Sequence, residues 1–208
     1  MIGLALTAAG LAVVADIRIR RVAVGLAGLF AAWLVALQVP SAILDPALLR
    51  SQWWVRTFET MALLGASLVL AGLASPPIRE PWARVGRLLF GASLPVFGVL
   101  HFVYAENVAS LVPGFYPWPL FLAYFTGATK SVAGLAITLG VLPRLAAILV
   151  AVQYAVYAAT LHIPQQFMDH PDGYQPNGIT SLLVAVGFCG AALIVAGSFG
   201  PPERAPHA

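Results

Sequence analysis

Residues 118–140 read WPLFLAYFTGATKSVAGLAITLG, a run of 23 residues with one charged side chain, Lys130, near its middle. A helix of about 20 apolar residues crosses the hydrocarbon of a bilayer. A stretch of this length therefore predicts a membrane span, with a lysine placed where charge is most expensive. Working outward, comparable apolar segments occupy 2–15, 22–40, 57–74, 86–105, 144–163 and 180–198. The composition agrees: 60% of residues are hydrophobic and 9% charged, against about a quarter charged in an ordinary soluble domain. Backbone polar groups in lipid must be satisfied within each segment. The expected fold is an all-α polytopic transmembrane helical bundle of about seven spans, the first of them short. The stretch from Ala42 to Val55, with its interfacial-type Trp53 and Trp54, is a candidate interfacial helix, and without the short first segment the spans number six.

Charge placement gives an orientation. With seven spans, Arg18, Arg20, Arg21, Arg79, Arg84, Arg87, Arg144 and Arg204 fall on one side, and Arg50 and Arg56 in loops on the other. The arginine-rich side is expected to be cytoplasmic, which places the N-terminus outside, the C-terminal tail 199–208 inside, and the loops 41–56, 106–117 and 164–179 outside. The first segment has no preceding positive charge, so it reads as a span rather than a signal peptide. The net charge of +3 is scattered through loops, which excludes a nucleic-acid reading. Cys189 is the single cysteine. It excludes an internal disulfide, a paired-thiol redox centre and a cysteine zinc site, and reads as a buried structural thiol.

Short sequences recur at a fixed offset. Ala9-Gly10-Leu11-Ala12 returns as Ala133-Gly134-Leu135-Ala136, Arg20 as Arg144, and Leu37-Gln38-Val39-Pro40 as Leu161-His162-Ile163-Pro164, all 124 residues later. Gly65 to Gly72 answers Gly190 to Gly197 after one further residue. The expectation is a parallel pseudo-repeat in which residues 1–75 are a three-span partial copy of the last three spans of a domain at 86–198. Copies four spans apart keep the same orientation in the membrane, unlike inverted transporter repeats.

Ionisable residues within spans are functional candidates because burying them in lipid costs about 2.5–3.5 kcal/mol on insertion scales. They are Glu59, His101, Lys130 and His162. Tyr154, Ala158 and His162 share a helical face at four-residue spacing, with Gln153 and Tyr157 on an adjacent stripe and Thr126 one turn before Lys130. If these faces converge, they form a polar pocket opening to the outer leaflet. Two histidines on different spans suit a haem, a metal or a quinone carbonyl. An ammonium nearby disfavours a metal and suits an anion, a carbonyl, or a structural bridge to Glu59. Taken singly, each histidine also reads as a hydrogen-bonded interfacial residue. The loop Val112 to Pro119 carries three prolines and three aromatics, either an interfacial anchor or a lid. Asp169, His170 and Asp172 form an acidic outer loop that reads as solvated surface or a weak metal patch. Phosphate-loop, Ser-His-Asp and HExxH patterns are absent.

Spans 4–7 resemble the DoxX-like family of four-helix membrane proteins. The residues that carry the resemblance are Gly98-Val99-Leu100-His101-Phe102, Val112-Pro113, Pro117-Trp118-Pro119, Tyr124, Thr126-Gly127, Ala133-Gly134-Leu135 and His162-Ile163-Pro164. It implies a bacterial inner-membrane bundle, with some relatives serving as subunits of thiosulfate:quinone oxidoreductases. Members commonly show a glutamate in the helix after Thr-Gly, where this chain has Lys130. The functional expectation is a redox-associated membrane protein binding a quinone or similar lipophilic compound through His101, Lys130, His162, Glu59, Tyr154 and Tyr157. A non-enzymatic scaffold or assembly factor with a membrane or periplasmic protein partner is the first alternative, and a small-solute transporter the second.

Overall fold

A computed structural model describes residues 2–44, 53–75, 80–167 and 178–200. All regular structure there is helical: α1 (Ile2–Val14), α2 (Ile19–Trp33), α3 (Val39–Leu44), α4 (Trp53–Leu73), α5 (Glu80–Val103), α6 (Ala105–Ser110), α7 (Pro119–Leu139), α8 (Pro143–Tyr157), α9 (Ile163–Gln165) and α10 (Ile179–Gly197). A π-turn, Leu34–Gln38, joins α2 to α3, and a second, Ala158–His162, joins α8 to α9. Among the described residues, six stretches are long and apolar enough to cross a membrane: Ile19–Leu44, Trp53–Leu73, Glu80–Val103, Pro119–Leu139, Pro143–Gln165 and Ile179–Gly197. The expected first span is shorter than a full crossing. Its helix α1 has 13 residues, about 20 Å against a hydrocarbon core of about 30 Å. Trp53 and Trp54 open α4 itself rather than a separate interfacial helix. The residues 45–52 between α3 and α4 lie outside the described set, as do Arg50, Arg79, Arg204, Asp169, His170 and Asp172.

Local chemistry sets the helix ends. Proline begins α7 and α8 at their first position, where a missing N–H costs nothing, and Gly140 closes α7 in the left-handed conformation. Pro40 and Pro164 follow the two π-turns. Within a regular helix each ring would collide with the carbonyl four residues back, Ala36 or Thr160, and those carbonyls lie inside the widened turns. Several backbone features also stand at the 124-residue offset. Left-handed Asp16 and Arg18 precede left-handed Gly140 and Leu142 by 124. The starts of α2 and α8 and the two π-turns stand at the same offset, and α2 packs on α4 as α8 packs on α10.

Helices α4, α5, α7, α8 and α10 close a ring, with α2 against the outside of α4. Phe90, Leu94, Phe188, Val69 and Val150 are fully buried at its centre. Tyr154 stacks on Phe188 at 4.8 Å between ring centroids, and Phe97 meets Phe188 edge-on at 5.7 Å. In lipid, association of helices relies on close packing of small residues. Helices α5 and α7 meet through two glycine pairs in antiparallel register, Gly91 with Gly134 and Gly98 with Gly127. A Cβ at Gly134 would lie 2.6 Å from the Gly91 carbonyl oxygen, and one at Gly127 2.8 Å from the His101 Cβ. Gly65 and Gly86 bring α4 and α5 together in the same way. At the arginine-rich end, Arg87 ties α5 to the end of α10, donating to the Ser198 hydroxyl (2.9 Å) and carbonyl (2.8 Å) and lying over Phe199.

Candidate functional site

The close approach of α5 and α7 at Gly98 and Gly127 sets His101 beside the path of the Lys130 side chain. Helical side chains lean toward the N-terminus. Lys130, midway along α7, therefore reaches back about a turn toward Thr126, the level at which α5 carries His101. Its Nζ lies 2.9 Å from His101 Nε2 and donates to the Tyr157 hydroxyl at 3.2 Å. The same cation stands over the Tyr157 ring at 4.7 Å and the Tyr154 ring at 5.7 Å. These faces attract a cation by their quadrupole.

The tautomer of His101 follows from its partners. Nδ1 is 2.8 Å from the Phe97 carbonyl, which can only accept, so Nδ1 carries the proton and Nε2 offers its lone pair to Lys130. Gln153 completes the cluster from α8, donating to the Tyr157 hydroxyl at 2.8 Å and the Thr129 hydroxyl at 3.0 Å. Three helices thus converge on one amine. Lys130 is 3% exposed, and its hydrogen-bond partners are all neutral; the ion pair among the described residues is Arg87 with Glu80 at the far end of α5. A buried cation ordinarily pairs with a carboxylate or marks a functional site.

The structure brings His101, Lys130, Tyr154 and Tyr157 together as one buried cluster. Two other expected members stand apart. Glu59 forms no bridge to Lys130; it lines a separate groove with Trp33, Gln38 and Arg56. His162 lies in the second π-turn, which packs on α8, α9 and α10, and its buried Nδ1 has no hydrogen-bond partner. The reading in which His101 and His162 share a haem or metal therefore has no common centre, because both nitrogens of His101 are engaged within the cluster. It also changes the role of His101 toward a carbonyl ligand. Its N–H is committed to Phe97, so the donor free to meet a carbonyl is Lys130.

Sequence reasoning missed Gly127 and Thr129 as parts of the site. Gly91 and Gly98, like Gly127 and Gly134, are seven residues apart, and that matched spacing was the available signal for the α5–α7 contact. The loop before α7 exposes Phe115 and Trp118, as an interfacial anchor does. Gln165 ties this loop to the C-terminal end of α9 by donating to the Leu111 carbonyl at 3.2 Å. Cys189 is half-buried rather than fully buried.

No curated protein and no solved structure matches the chain. The model of the DoxX family does match, over residues 83–163. That interval runs from the start of α5 through the second π-turn and contains His101, Lys130, Gln153 and Tyr157. Residues 83–163 therefore carry a DoxX-like domain, within a chain whose all-helical architecture is that of a multi-pass membrane protein.

Proposed function

We propose that the Lys130 cluster binds a quinone or similar lipophilic carbonyl compound in the outer half of the bilayer, and that the protein serves a membrane redox system. The observation that carries this reading is a lysine buried at 3% exposure with neutral partners only. Two of its three N–H groups are held by His101 and Tyr157. The third is free to donate to a carbonyl oxygen, and this is the bond that a desolvated amine lacks most. Tyr154 and Tyr157 supply the aromatic lining beside that amine. Glu59 and His162 lie outside this contact set, and His101 orients Lys130 rather than touching the ligand.

The orientation supports a site reached from the outer leaflet. Arg18, Arg20 and Arg21 adjoin the first full span, and Arg84, Arg87 and Arg144 begin α5 and α8 on the same side. This asymmetry is independent of whether α1 crosses, and makes that side cytoplasmic in a bacterial inner membrane. The test is thermal unfolding of detergent-purified protein with and without added ubiquinone-1. A ligand at 100 times its Kd raises stability by about 2.7 kcal/mol. Wild type should show a rise in Tm that Lys130→Met lacks. Equal curves with and without quinone in wild type would sink the proposal and favour the scaffold reading.

A further inference from the structure

The groove of about 270 Å³ between α1, α2 and α4 stands in the position that the 124-residue offset assigns to the Lys130 cluster. Leu6 corresponds to Lys130, Leu29 to Gln153, Phe30 to Tyr154 and Trp33 to Tyr157. Gln38, which ends the first π-turn, corresponds to His162, which ends the second. Matching left-handed residues, helix starts and π-turns all support reading the two regions as copies. The copies have diverged in chemistry. Every polar member of the Lys130 cluster on α7 and α8 has an apolar or indole counterpart here, so the wall is fit for a hydrocarbon chain.

The charged groups of this groove come instead from α4, at its outer end. Arg56 and Glu59 are three residues apart and share a helical face. Arg56 acts electrostatically on the half-buried Glu59, but the two side chains are not within ion-pair distance of each other, and neither is hydrogen-bonded among the described residues. Thr57 donates to Gln38 Oε1 at 3.3 Å, and Thr60 to the Arg56 carbonyl at 2.9 Å. These bonds fix the groove's mouth without using either charge. A carboxylate and a guanidinium held side by side above an apolar trough complement one ligand chemistry: an anionic phosphate and a cationic amine on one headgroup, with an acyl chain below. We infer that this groove is a second binding site, distinct from the Lys130 site, and that it holds a phosphatidylethanolamine molecule. The lipid's phosphate meets Arg56, its ammonium donates to Glu59, and its chain lies along Trp33, Phe30 and Leu29. Arginine suits phosphate by its fork of donors. A primary ammonium has N–H groups for the carboxylate, whereas the trimethylammonium of phosphatidylcholine has none.

That difference supplies the test. The protein is reconstituted into vesicles with equal amounts of phosphatidylethanolamine and phosphatidylcholine, extracted in mild detergent, purified, and its retained lipid quantified. Wild type should retain phosphatidylethanolamine in preference to phosphatidylcholine by roughly tenfold, the worth of one charge-assisted hydrogen bond. Glu59→Gln should bring the ratio back toward the vesicle composition, and Trp33→Ala should lower the total lipid retained. Lys130→Met should change neither quantity, which separates this site from the carbonyl site. Wild type that retains no lipid, or both lipids in the input ratio, overturns the inference. So does a Glu59→Gln variant with undiminished preference, or retained quinone that this variant releases.

Discussion

Replacing Lys130 by methionine separates the cost of the buried amine from its use. The substitution keeps an unbranched apolar stem of similar length, so the space among Tyr154, Tyr157 and His101 stays filled. It removes the hydrogen bonds to His101 Nε2 at 2.9 Å and to the Tyr157 hydroxyl at 3.2 Å. Interhelical hydrogen bonds in membrane proteins average about 0.6 kcal/mol, so the two together contribute roughly 1–2 kcal/mol. Against this stands the cost of a charged side chain in hydrocarbon, about 2.5–3.5 kcal/mol on insertion scales. The balance predicts that Lys130→Met is neutral or stabilising by about 1–2 kcal/mol. Lys130→Ala, which opens a void, should instead lose about 2–4 kcal/mol relative to the methionine variant. The assay is reversible unfolding in mixed micelles with increasing sodium dodecyl sulfate, followed by tryptophan fluorescence. A methionine variant that loses stability as heavily as the alanine variant would show that the amine is a structural keystone, and would refute the reasoning that assigns it to a ligand.

Three further outcomes follow from the packing and the charge placement. Gly127→Ala puts a Cβ 2.8 Å from that of His101 and 3.1 Å from the Gly98 carbonyl. It should cost about 1–3 kcal/mol by overpacking and abolish quinone-dependent stabilisation, whereas Gly187→Ala, with open space around it, should leave both intact. Arg87→Ala loses two charge-assisted bonds to Ser198 and should destabilise the bundle by about 1.5–3 kcal/mol. Glu80→Gln, which breaks only an ion pair with a half-exposed carboxylate, should cost less than about 1 kcal/mol; unfolding of both variants checks the contrast. In a Cys189→Ala background, a cysteine at Gly114 should react with a membrane-impermeant maleimide on spheroplasts, and one at Gly140 only after lysis. The reverse pattern would invert the orientation.

Much of the bundle could be read from hydropathy because lipid forces long apolar stretches into helices, and six full spans fall close to the segments drawn from the sequence. The length of α1 was harder to judge. Its apolar run ends at the left-handed Asp16 and Arg18, conformations that composition does not announce. The π-turns were hidden for the same reason, although Pro40 and Pro164 mark their places. At the site, the polar stripe of Gln153, Tyr154 and Tyr157 and the central Lys130 were visible as helical spacing. Spacing within one helix does not say which neighbouring helix it faces. Pairing Lys130 with His101 rather than Glu59 required the glycine register of α5 on α7, and the π-turn that holds His162 is not visible in helical spacing. The groove at Trp33 and Glu59 escaped notice because its apolar members look like ordinary lipid-facing residues until they are set beside their counterparts 124 positions later.

The central claim, a carbonyl ligand on Lys130, is tested most directly by lipid extraction of the protein purified from its native membrane in mild detergent, with quinone quantified per chain. Wild type should carry quinone in near-stoichiometric amount, and an equally folded Lys130→Met variant should carry little or none. Equal quinone in both, or none in wild type, would contradict the account.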